Sequence, residues 1–243
     1  MKRVLDILLS IKTAFSIMNL FILFAFLGSI IFPRNLAFFS GIDETPLFKW
    51  LATEGKIGIT WWIYALILSL ALLGINTVFC TADAFLRRLS RRNLLLKLSP
   101  QIMHIGVLFV MLGHLLTAAT GLKEDILLEK GKPPVEVNGL HVRLDDLDVK
   151  TDEEGYDIDW RAVVEVDGKE GKRQLQLRPS RPVYYGSVGF FIQAATKDET
   201  EVSALVRLTV DPGALWALLG GILLSLGGMG FIYSRFSMVQ NKR

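Results

Sequence analysis

Cysteine and histidine, the side chains that most often carry redox and metal chemistry, are scarce: one cysteine, Cys80, and three histidines in 243 residues. A lone cysteine excludes an internal disulfide framework, and the lack of a CxxC pair excludes a thioredoxin-like reductant. Cys80 itself reads as a small apolar side chain at a helix end. The polar stretch from 121 to 208 holds one histidine, His141, and no cysteine. No glycine-rich phosphate loop follows a strand there, so hydrolytic triads and Walker sites have no starting point. No internal repeat or low-complexity tract is present. Polarity as a whole is also low. With 51% hydrophobic residues and a mean hydropathy of +0.40, the chain belongs to the membrane class.

Four runs, 14–32, 61–79, 102–120 and 213–233, approach the roughly 20 apolar residues that cross a bilayer. The first exceeds a signal-peptide core and ends in FPRN rather than a small-x-small site, so it is expected to remain as an anchor. Basic residues set the orientation. Arg87, Arg88, Arg91, Arg92 and Lys97 stand against only Asp83 between the second and third runs, Lys2, Arg3 and Lys12 precede or open the first, and Arg235, Lys242 and Arg243 follow the last. The positive-inside rule makes these cytoplasmic, with both termini inside. The organisation expected is a first span in 1–33, an outer interfacial segment 34–60, a second span 61–81 and a basic inner loop 82–101. A third span 102–120, an outer domain 121–210, a fourth span 211–234 and a tail 235–243 follow. The net charge of +3 therefore hides two unlike surfaces, because residues 121–208 carry 18 acidic against 13 basic side chains. The juxtamembrane basic cluster is explained by topology and anionic lipid, and no nucleic-acid partner is expected.

The outer domain changes period. ILLEKG, GLHVRLDDLDV, WRAVVEV, RQLQLR, VGFFIQAA and ALVRLTV are short, often alternating runs broken by KGKPP, VNG, TDEEG, VDGKEG and RPSRP. That pattern predicts six or seven strands in a small all-β, sandwich-like domain, with a hairpin loop at Asp167-Gly168. The acidic stretch DLDVKTDEEGYDID reads as a solvated β-edge with a turn. Between the first two spans, Phe38, Phe39, Leu47, Phe48, Trp50 and Leu51 suit a short amphipathic helix at the interface, and Trp50, Trp61 and Trp62 suit an aromatic belt.

Against this background, residues 104–121, HIGVLFVMLGHLLTAATG, place His104 and His114 in hydrocarbon. An ionisable side chain within a span faces protein, water or a cofactor as a rule. The two lie about 15 Å apart along a helix and about 80° around it. They cannot share one iron, whose trans ligands are roughly 4 Å apart for metal–nitrogen distances near 2 Å. Each is either a neutral imidazole bonded to a neighbouring helix or an axial haem ligand whose opposite ligand comes from another subunit.

The arrangement resembles the ResB (CcsB) family of System II cytochrome c biogenesis proteins. The resemblance is carried by LLSIKTA leading into the first span, GINTVFCTADAF leaving the second, and HIGVLFVMLGHLLTAATG running on into DILLEKGKPPVEVNG. RPVYYGSVGFFIQAA and LTVDPGALWALLGGILLSLGGMGFIY complete it, so that nearly the whole chain is covered in order. The chain looks like a short version with a compact outer domain. It has LRPSRP where the family pattern has an asparagine before the YxG strand, and its second span has no histidine.

The resemblance implies a membrane protein of four transmembrane helices with an extracytoplasmic all-β domain between the third and fourth, in a bacterial inner membrane. It implies a ResC (CcsA)-like partner bearing the tryptophan-rich haem-handling segment absent here. Together such proteins move reduced haem across the membrane and attach it to the CxxCH thiols of apocytochrome c. The chain would be a non-catalytic or co-catalytic subunit, with haem b shared between His104 or His114 and a partner's ligand. Two other readings stay open: a b-type haem subunit of a membrane electron-transfer complex, and a scaffold.

Overall fold

The four apolar runs fold as helices that outlast them. The computed structural model describes residues 9–88, 94–154, 157–197 and 202–240. Lys2, Arg3, Arg91, Arg92, Lys242 and Arg243, on which the expected orientation partly rests, lie outside the described residues. The long helices are α1 (Ile11–Arg34), α3 (Ile57–Arg88), α4 (Leu94–Thr120) and α5 (Ala214–Gln240), and α2 (Leu47–Thr53) is a short one. The four long ones are apolar enough to cross a membrane, and the chain is a membrane protein with four such helices and a β domain. Inside a bilayer the backbone must satisfy its own hydrogen bonds, and nothing stops the helix where hydrocarbon ends. Pro33 and Pro100 both lie inside helices, each removing one backbone donor. At its C-terminus α1 is closed by Asn35, whose N–H donates to the Phe32 carbonyl at 3.0 Å and whose side chain donates to the Ile31 carbonyl at 2.8 Å.

Helices α1 and α3 pack through Gly28, which is buried because the Trp62 ring occupies the place of a side chain. Beside it Phe24 meets Trp61 edge-on with centroids 6.2 Å apart. The segment between these helices closes over an aromatic cluster. Phe39 stacks on Phe32 at 4.8 Å and on Trp50 at 5.7 Å, and Phe39, Trp50, Leu51 and Ile63 are buried. Of the three tryptophans expected in an aromatic belt, Trp50 is buried in this cluster, Trp62 is partly buried against it and Trp61 is exposed.

Residues 120–212, joined by Asp43–Pro46, form a second unit. It contains two antiparallel four-stranded sheets, ordered β1-β8-β7-β6 and β2-β3-β4-β5. The strands are β1 (Leu122–Glu129), β2 (Val135–Val137), β3 (Leu140–Thr151), β4 (Asp157–Asp167), β5 (Arg173–Leu177), β6 (Val183–Tyr185), β7 (Val188–Lys197) and β8 (Val202–Val210). The expected six or seven strands thus become eight among the described residues, because β2 and β6 are only three residues long. β1 and β8 pair along their full length, from Leu122 with Val210 to Glu129 with Ser203. Alternating Ile126, Leu128, Val142, Leu144, Val164, Val166, Phe190, Val206 and Leu208 fill the core, the period-2 burial expected of two sheets face to face. A β-bulge between Leu144 and Asp146 resets that period, so Leu144 and Leu147 are both buried although three residues apart.

The hairpin expected at Asp167-Gly168 joins β4 to β5. Gly171 sits at φ 85° and donates to the Gly168 carbonyl at 2.9 Å. The Tyr185 hydroxyl braces it, donating to the Gly171 carbonyl at 2.6 Å and accepting from the Glu170 N–H at 3.0 Å. The described residues of the acidic DLDVKTDEEGYDID stretch lie in β3, β4 and the turn after β3, where neither strand has an outer neighbour among the described residues; Gly155 and Tyr156 lie outside the described residues. The stretch is solvated because the β3–β4 hairpin runs on beyond the ends of β2 and β5.

Candidate functional site

Helix α4 carries both intramembrane histidines, and its glycines decide which way they face. A Cβ on Gly106 would lie 2.8 Å from the Gly220 carbonyl and from the Leu224 nitrogen. One on Gly113 would lie 2.7 Å from the Gly213 carbonyl. From the other side, Gly220 meets the Gly106 carbonyl and Val110, Gly227 meets Met103 and the Ser99 carbonyl, and Gly213 meets the Gly113 carbonyl and the Thr117 hydroxyl. The two backbones are therefore in contact along a seam of glycines, the small-residue packing that apolar solvent favours. Gly221 and Gly228, at the same seven-residue spacing, have nothing within 4 Å.

At about 100° per residue, His104 lies roughly 160° round from Gly106, and His114 about 100° from Gly113. Both imidazoles are exposed. His104 is seven residues before Met111, so the two share a face within about 20°, and Met111 reaches helix α3, its Cε 3.2 Å from where a Cβ on Gly74 would stand. The structure does not bring the two histidines together. His141, the third, is exposed on β3, paired across the sheet with Glu136 and Asp167. Among the described residues no three His, Cys, Asp or Glu side chains are grouped to hold a metal ion.

Each imidazole is exposed on its helix face, and the two are too far apart along α4 to ligate one metal atom together. Helices α3 and α4 also carry a group of buried polar side chains. Asn76, Thr81, Ser99 and Gln101 are all buried, and the Thr81 hydroxyl and the Gln101 amide oxygen have no hydrogen-bond partner among the described residues. Reading the sequence for histidine alone passes over this polar group. Its signal is four small or amide side chains in otherwise apolar turns on either side of the α3–α4 connection.

The β unit supplies charge rather than ligands. Arg207 grips Asp125 with two bonds of 2.7 Å, and those hydrogen bonds hold the Asp125 carboxyl below the usual carboxylate range. The same contact raises Arg207, helped by Asp43 and Glu44 of the segment joined to this unit. Lys130 donates to Asp146 at 2.7 Å and lowers that carboxyl too.

No family model matches the chain, and no curated protein matches it. Among solved structures, one titled Cytochrome c Heme Lyase CcmF superposes with a TM-score of 0.48 at 18% identity, over 69% of this chain and 31% of that one. The chain spans about a third of the length of the solved structure it is similar to.

Proposed function

We propose that the chain is a ResB-like subunit of a cytochrome c synthase complex, working with a ResC/CcsA-like membrane protein to bring haem to apocytochrome c. The observation that carries this reading is the pair of exposed imidazoles on α4, turned away from the glycine seam and, among the described residues, not grouped with other metal-ligating side chains. In this reading haem b is cargo, held for a time between a histidine here and a ligand of the partner. His104 stands near the end of α4 that adjoins the basic cytoplasmic loop, and binds haem entering from that side. His114 lies deeper and serves a second position or a neighbouring helix. The β unit is extracytoplasmic and docks the partner and the apocytochrome. The chain itself supplies ligation, orientation and exclusion of water, and the bond-making step belongs to the complex.

The test is the complex purified with its natural partner and examined by reduced-minus-oxidised visible spectroscopy. His104→Ala is expected to lower haem content, His114→Ala to lower it less, and added imidazole to restore part of the loss. Full haem spectra and unchanged cytochrome c maturation in both single variants and the double variant would make the histidines structural. The roughly 15 Å between them also suits two haems near opposite membrane faces, as in an electron-transfer subunit. That reading predicts stable haem with no effect of either variant on cytochrome c maturation.

A further inference from the structure

The β3–β4 hairpin carries a site that the haem reading does not use. β5 pairs with β4 only from Ala162 to Val166. Residues 159–161 are paired with β3 on one side, Ile158 is the extra residue of the irregularity between Lys150 and Thr151, and on the other side residues 158–161 have no strand among the described residues. In an extended strand alternate N–H and C=O groups point to each side, so this short edge leaves main-chain donors and acceptors open.

A cavity of about 190 Å³ opens beside this edge, lined by Asp148, Lys150, Asp159, Trp160, Arg161 and Arg178. It is smaller than the roughly 300–1,000 Å³ of small-molecule sites, a size for one side chain rather than a whole cofactor. Asp148 lies opposite Arg161 and Lys150 opposite Asp159 across the two strands. None of these four, nor Arg178, forms an ion pair with a described residue. The two cross-strand pairs balance in charge and leave Arg178 over. Arg181 is bridged to Arg178 across a tight turn with Ser180 at φ 57° and adds a second cation with no ion pair to a described residue. This spot is thus locally cationic on a domain whose residues 121–208 carry 18 acidic against 13 basic side chains. The buried indole N–H of Trp160 also has no acceptor among the described residues.

We propose that the open edge of β4 from Ile158 to Arg161 receives an extended acidic segment of a partner protein as an added strand. One of its carboxylates enters the cavity against Arg178 and Arg161. Strand addition supplies affinity through the main chain, and the pocket supplies selectivity through one side chain. A guanidinium–carboxylate contact is the strong, directional form of hydrogen bond.

The test uses the full chain in detergent micelles and the peptide acetyl-Thr-Val-Glu-Val-Thr-amide, titrated by calorimetry alongside amide hydrogen exchange. Saturable binding with new protection confined to residues 158–161 is expected. The Gln-for-Glu peptide and the Arg178→Gln variant should each bind about tenfold more weakly, the size of effect a charge-assisted hydrogen bond provides. Asp159→Asn, which removes a local carboxylate, should bind more tightly. The proposal is overturned if neither acidic nor neutral peptide binds, if both bind Arg178→Gln as they bind the parent, if protection falls elsewhere, or if free glutamate binds as tightly as the peptide.

Discussion

Gly220 and Gly221 are neighbours in one helix, and replacing each by alanine is expected to have opposite effects. In an exposed helix either change gains about 0.5–1 kcal/mol from helix propensity. At Gly221 that is the whole effect, because nothing lies within 4 Å of the new methyl. At Gly220 the methyl would sit 2.6 Å from the Gly106 carbonyl oxygen and 2.7 Å from the Val110 nitrogen and Cγ2. Two of these are backbone atoms that no rotamer change can move, so α4 and α5 must separate to restore ordinary contact. A gap of 0.5–1 Å forfeits a quarter to a half of each dispersion contact along the seam, and overpacking costs about 1–3 kcal/mol. Net of propensity, Gly220→Ala should destabilise by up to about 2 kcal/mol, and Gly221→Ala should be neutral or stabilising by up to about 1 kcal/mol. Reversible unfolding of the purified protein in mixed micelles, followed by far-UV circular dichroism, measures both. Equal stability of the two variants would refute the seam as the contact between α4 and α5.

Removing the hydroxyl of Tyr185 in Tyr185→Phe takes away both bonds that brace the β4–β5 hairpin. A loss of about 1–2 kcal/mol and faster exchange of the Glu170 amide are expected; unchanged exchange would show that the hairpin holds itself. The Asp125–Arg207 contact carries a pH signature. Because the folded carboxyl is held low by Arg207, its stabilisation is whole above the ordinary carboxylate pKa near 4 and is lost as pH falls through the lower folded value. Both partners are more than a third exposed, so the effect is modest and screened by salt; Asp125→Asn should lose stability at pH 7 but not at pH 2, and an equal loss at both would refute the assignment. If the β unit is extracytoplasmic, protease added to spheroplasts should cut within 121–208 or 35–56 and spare the chain around Arg91.

What the sequence discloses depends on whether a feature is local. Apolar runs mark the four long helices directly, but their ends are hidden, since helix continues through Arg34 and starts before Pro100. Alternation shows the long strands, while the bulge at the Asp145-Asp146 pair of LHVRLDDLDV emerges only from the pairing of β3 with β4. β2 and β6 are too short to display a period. The order of strands, which sets β1 beside β8, depends on pairings between residues far apart in the chain. The glycines are a similar case. Gly220 with Gly227 and Gly221 with Gly228 have identical spacing, and only the position of α4 decides which pair is buried. The histidines were legible as chemical oddities in an apolar run; their exposure was not, because it depends on the side taken by the neighbouring helices.

The pairing of β1 with β8 has a consequence for how this chain can change over evolutionary time. Leu122 and Val210, the first and last residues of the sandwich's paired edge, are direct partners, and Gly113 and Gly213 are in contact in the helical unit. Of the four points at which the chain passes between the units, the two that bound residues 120–212 are therefore side by side within each unit, so these residues are an insert between adjacent ends of α4 and α5. Lengthening an insert of this kind adds loop-closure cost only logarithmically, and adjacent termini are what allow one domain to be carried within another. Strands or whole modules can be gained or lost between residues 121 and 212 without asking α4 and α5 to move, so the hairpin and its cargo domain are free to vary at different rates.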